Sequence, residues 1–112
     1  MAYKSTKLPS NIKVGTHHYT IEVVPVELMD DIGIYGDLNT DLRRIRIAEK
    51  TPEAAQAIEV VIHELLHACY RAYHIEADRD EEYTVTNLAA ALSAIITDNP
   101  EFRKWLDRTA KP

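Results

Sequence analysis

The chain has 112 residues, 46% of them hydrophobic and 28% charged, enough for one modest core and too little for two domains. Its 13 Lys and Arg against 18 Asp and Glu leave a formal net charge of −5, a balance that argues against a broad nucleic-acid footprint. The single cysteine, Cys69, excludes an internal disulfide and points to a reducing compartment, and no apolar run reaches the roughly 18 residues that span a bilayer.

Residues 1–10, MAYKSTKLPS, are polar, end in Pro9-Ser10 and lack the apolar centre of a signal peptide. They read as a loose lead-in to a single domain over 11–112 with a cytoplasmic address and no membrane partner. Ile12-Lys13-Val14 and Tyr19 to Val23 alternate apolar and polar residues around Gly15-Thr16, which predicts a β-hairpin. Pro25 to Gly33 is a connection of no fixed form. Tyr35 to Leu38 and Arg43 to Ala48 predict a second strand pair, with Asn39-Thr40-Asp41 as turn residues. Arg43, Arg44 and Arg46 read as a charged edge that guards against strand-to-strand aggregation.

The period then changes. Thr51-Pro52-Glu53 supplies a hydroxyl cap, a proline at the first helical position and an acid in the first turn, and a helical pattern follows to about Tyr73 or His74. Asp78 or Asp80 is placed to cap a second helix with an apolar stripe of Val85, Leu88, Ala89, Leu92, Ile95 and Ile96. Asn99-Pro100 begins a short third helix expected to bury Phe102, Trp105 and Leu106 and so to close the core. Strands first and helices after give an α+β fold: a small, mainly antiparallel sheet followed by three helices.

Within the first helix, VIHELLHA sets His63, Glu64 and His67 into an apolar run. Each helical residue turns about 100°, so His63 and His67 project from one side about 6 Å apart along the axis, a spacing at which two imidazoles bind one ion. Ile58, Val61, Ile62, Leu65, Leu66 and Cys69 point toward a core instead. Zinc suits such a site because three nitrogen and oxygen ligands leave a tetrahedral position for water, and Glu64 stands one step round to act as general base. Shuffling this composition produces His-Glu-x-x-His in roughly 2% of sequences, so the motif is informative when it also falls on a helix with apolar flanks.

A third ligand has several candidates. Tyr70 and Tyr73 stand where a metzincin needs glycine and histidine, which removes that class. His74 shares the face of the motif but lies about 10 Å beyond His67 on a continuous helix. Asp78, Asp80, Glu81 and Glu82 sit where the second helix begins, and helical geometry alone does not separate Glu81 from Glu82. Tyr35, Tyr70, Tyr83 and His74 are candidates for stabilising an oxyanion; His17 and His18 read as solvated turn residues, and Cys69 as an inert thiol.

HELLHACYRAY followed by EEYTVTNLAAALSAIITDNPEF resembles small zinc-peptidase-like proteins of the ImmA/IrrE type, a gluzincin group, particularly its compact phage-encoded members. Asp98-Asn99-Pro100 and the strand pair IYGDLNTDLRRIRIAEK add to the resemblance, which covers roughly Gly33 to Leu106. It implies a minimal zincin-like fold and places Glu82, followed by Val85, Leu88 and Ala89, in the ligand position. It therefore implies zinc held by His63, His67 and Glu82, Glu64 as the catalytic base, and an endopeptidase acting on a peptide or protein, such as a repressor or regulatory protein, in the host cytoplasm if the chain is phage-encoded. The chain departs from the larger gluzincins at Thr86, where they often place an acid that orients a histidine. Two other readings remain open: a metal-binding interaction module with little turnover, and a helical packing domain without metal.

Overall fold

A computed structural model describes residues 8–25, 35–49, 54–76 and 80–110. Four strands precede three helices: β1 (Asn11–Val14), β2 (His17–Val24), β3 (Gly36–Asn39), β4 (Arg44–Ala48), α1 (Ala54–Ala72), α2 (Glu81–Asp98) and α3 (Pro100–Thr109). The fold is α+β.

β1 and β2 form the first hairpin, antiparallel with Val14 opposite His17 and Ile12 opposite Tyr19. Gly15 turns it with φ of 63°, a left-handed conformation that costs glycine little, and a Cβ there would come within 3.1 Å of the Ala72 Cβ at the end of α1. β3 and β4 form the second hairpin, with Asp37 opposite Arg46. Its loop is held by an Asx-type bond, the Leu42 N–H donating to Asn39 Oδ1 at 2.9 Å.

The two hairpins join through a parallel pair. Strand order is β1-β2-β4-β3, and β4 lies beside β2 with Ile21 against Ile45 and Val23 against Ile47. The sheet is therefore mixed, antiparallel in its outer pairs and parallel in the middle. Because β4 is an interior strand, its arginines are not the charged edge that their spacing suggests. Arg46 instead forms a two-bond fork with Asp37 on the neighbouring strand, Nε to Oδ1 at 3.0 Å and Nη2 to Oδ2 at 2.6 Å.

Alternation on β2 and β4 sends Tyr19, Ile21, Ile45 and Ile47 to one face, where they meet Ala68 of α1. Val61, Leu65 and Cys69 pack on the same cluster, as their helical spacing predicts. Ile58 and Ile62 do not join it; with Leu8, Pro9, Ala57 and Ile96 they line an apolar groove. The described end of the lead-in is thus attached: Leu8 packs on the core and the Ser10 carbonyl accepts from the Ile21 N–H at 3.0 Å.

α2 packs on α1 through Val85, Ala89 and Ser93, which repeat every four residues and are buried. The expected stripe is only partly right, because Leu88, Leu92 and Ile95 lie about a quarter turn away and are exposed. Small side chains at Ala89 and Ser93 let the two helix backbones approach, and the larger residues are left beside the contact. α3 also differs from expectation: it exists with the predicted start, yet Phe102, Trp105 and Leu106 are all exposed and none of its described residues is buried. Asp80 and Asn99 precede α2 and α3 without making side-chain caps; Asn99 Nδ2 donates back to the Ile95 carbonyl at 2.8 Å. The expected cap over residues 51–53, Asp78 and most of the 25–33 connection lie outside the described residues.

Candidate metal centre

α1 crosses beneath β3 and beside the first turn of α2, and the open cleft between them has a volume of about 950 Å³. His63, Glu64 and His67 enter from α1, Glu81 and Glu82 from α2, and Gly36, Asp37 and Leu38 from β3.

The two histidines are neighbours on one helical face, with ring centroids 4.9 Å apart at 62°. Glu82 reaches both: its Oε1 lies 2.7 Å from His63 Nε2 and its Oε2 lies 3.2 Å from His67 Nε2. One ligand atom from each of His63, His67 and Glu82 falls within 4.8 Å of the others. Tetrahedral ligands about 2 Å from an ion stand roughly 3.3 Å from one another, so this donor set fits one small divalent cation after sub-ångström to ångström adjustments. Two imidazoles and a carboxylate are also the donor chemistry that zinc accepts. The Glu82 side chain is 68% exposed, which leaves the site open to solvent on its α2 side.

Glu81 occupies a different position. Its Oε2 lies 2.6 Å from His67 Nδ1, so the adjacent glutamates contact the two nitrogens of one ring from different sides. Thr86, one turn beyond Glu82, donates its hydroxyl to Glu82 Oε1 at 3.3 Å and does not reach a histidine.

Glu64 lines the same cleft, with its carboxylate close to β3, and is only 8% exposed. Burial is the main cause that lifts its carboxyl from an ordinary 4.5 to about 7; His67 opposes the rise, while Glu82 and Asp37 add to it. Gly36 lies tightly against α1 beside this carboxylate: a Cβ there would stand 2.5 Å from Val60 Cγ1 and 3.4 Å from Glu64 Oε2. The sequence signal for that close approach was the isolated glycine within a strand pattern. Asp37, held by Arg46, was not anticipated at the site; acidic residues on strands carry no distinctive spacing.

Tyr35 and Tyr70 line the cleft, whereas Tyr83 and His74 are outside its wall and exposed. α1 ends at Ala72 and His74 adopts φ of 53°, so the chain turns away from the motif before His74 can join it. His17 and His18 lie on β2 as exposed residues, and His18 Nδ1 is 2.7 Å from Asn11 Oδ1. Burial pushes the Cys69 thiol up, away from the thiolate form.

No family model, curated protein or solved structure matches this chain. Among the described residues, no helix is long and apolar enough to cross a membrane.

Proposed function

We propose that the chain is a zinc-dependent endopeptidase, a compact gluzincin of the ImmA/IrrE type acting on a peptide or protein substrate. The observation that carries this reading is the convergence of His63, His67 and Glu82 from two helices, beside a buried glutamate in an open cleft. His63, His67 and Glu82 would hold the zinc, which when bound would supply Lewis acidity toward a water and a substrate carbonyl. Glu64, on the cleft side of α1, would take a proton from that water and return it to the departing amine. Among the described strands β3 is the last on its side of the sheet, and it borders the cleft, so an extended substrate would add to its edge in backbone register.

The test is Glu64→Gln. The variant is expected to bind zinc as the parent does while losing about 10²-fold or more of its activity on a peptide library. Full activity in Glu64→Gln would remove Glu64 as the base. A second reading, a metal-binding interaction module with little turnover, draws on the exposed Leu88, Leu92 and Ile95 of α2 and Phe102, Trp105 and Leu106 of α3. It predicts zinc uptake without cleavage by the parent chain, and partner binding that Glu64→Gln leaves intact.

A further inference from the structure

Two consecutive glutamates address one imidazole, and their geometry separates their roles. A metal-bound histidine must be neutral, offering a lone pair from one nitrogen and carrying its proton on the other. His67 Nε2 faces the Glu82 carboxylate, which also faces His63 Nε2. The lone pairs that could share an ion therefore converge on the Glu82 side. His67 Nδ1 faces away from that point, toward Glu81 at 2.6 Å.

We propose that Glu81 is a positioning residue: it accepts the Nδ1–H of His67, fixes the tautomer and turns Nε2 toward the ion. The inference rests on the metal-site reading and extends it. It also accounts for Thr86, whose hydroxyl is engaged with Glu82 and leaves the histidine to another partner. The carboxylate that orients the ring is thus supplied one residue before the ligand rather than one turn after it. Glu81 begins α2, so the first helical turn presents both acids to α1 at once.

Zinc affinity of the full chain, measured by competition with a chromophoric chelator, tests this for the parent, Glu81→Ala, Glu81→Gln and Glu82→Ala. Nitrogen-15 NMR of the zinc-loaded proteins reads the His67 tautomer independently. Glu81→Ala is expected to weaken zinc binding about 10–100-fold and to lose the protected Nδ1–H resonance. Glu81→Gln keeps an oxygen acceptor at the same place, so it should recover most of the affinity and the resonance although the charge is gone. Equal weakening in Glu81→Ala and Glu81→Gln would show that only the negative charge mattered and would overturn the positioning role. So would unchanged affinity in Glu81→Ala. Retention of zinc by Glu82→Ala together with its loss in Glu81→Ala would make Glu81 the ligand instead. A parent chain that takes up no zinc overturns the metal-site reading and this inference together, whereas a parent that binds zinc with Glu81→Ala binding equally overturns this inference alone.

Discussion

Helices α1 and α3 share a pattern, an apolar face opposite a charged one, and have opposite surroundings. α1 lays Val61, Leu65, Ala68 and Cys69 on a sheet whose Ile45 and Ile47 are 0% exposed. α3 carries Phe102 stacked near Trp105, ring centroids 6.1 Å apart, yet Trp105 remains 51% exposed. Amphipathicity states that a helix has a face to cover and says nothing of what covers it. α1 is covered because two hairpins present a matching apolar surface of alternate residues. α3 follows α2 after the single residue Asn99, and Arg103 donates to the carbonyls of Ile96 and Thr97, which ties its first turn to the end of α2. The direction set by that junction leaves its apolar face outside the core.

The sharpest way to break this comparison is to truncate the covered side. Ile47→Ala removes a fully buried side chain between the sheet and α1 and is expected to lower stability by about 3 kcal/mol, read from urea unfolding. A loss below about 1 kcal/mol would mean that the sheet and α1 are not the stable half.

Glu64 gives an effect of similar size through pH. In the chelator-treated protein its carboxyl binds a proton more tightly folded than unfolded, since burial raises it from 4.5 to about 7. Its contribution to stability is full below pH 4.5, declines as the pH rises through 7 and is absent above. Between pH 4 and pH 8 the parent should therefore lose about 3 kcal/mol more than Glu64→Gln, which has no proton to give up. Parallel pH profiles for the two proteins would contradict the burial of this group.

Gly36→Ala sharpens the comparison at the cleft. The added Cβ meets Val60 Cγ1 at 2.5 Å and the Arg46 carbonyl at 3.3 Å, so the Val60 side chain or β3 must shift, at an expected cost of about 1–3 kcal/mol in urea unfolding. The smallest effect belongs to the uncovered helix. Trp105→Ala should change stability by no more than about 0.5 kcal/mol, and a loss above about 2 kcal/mol in the same assay would show that α3 is packed in solution after all.

Much of this was legible in the sequence because it rests on local chemistry. Alternation around Gly15-Thr16 and around Asn39-Thr40-Asp41 fixes both hairpins, and spacing of four puts His63 and His67 on one helical face. The parallel pairing of β2 with β4 was not legible, because it joins segments that no turn connects and is selected by matching apolar faces across the sheet. The buried line of α2 was legible only in part: Val85 and Ala89 stand in the expected stripe, but Ser93 carries no hydrophobic signal, and the larger Leu88, Leu92 and Ile95 pull the expected face away from the buried one. At the site, both glutamates were visible as candidates at the start of α2, but their division between the two nitrogens of His67 depends on how α1 and α2 face each other.

The central claim is that His63, His67 and Glu82 form one metal site, and zinc stoichiometry tests it most directly. Elemental analysis of the untagged chain after zinc loading and desalting, alongside His63→Ala/His67→Ala, should give about one zinc per parent chain and none in the double variant. A zinc-free parent, or equal zinc in both proteins, would contradict the account.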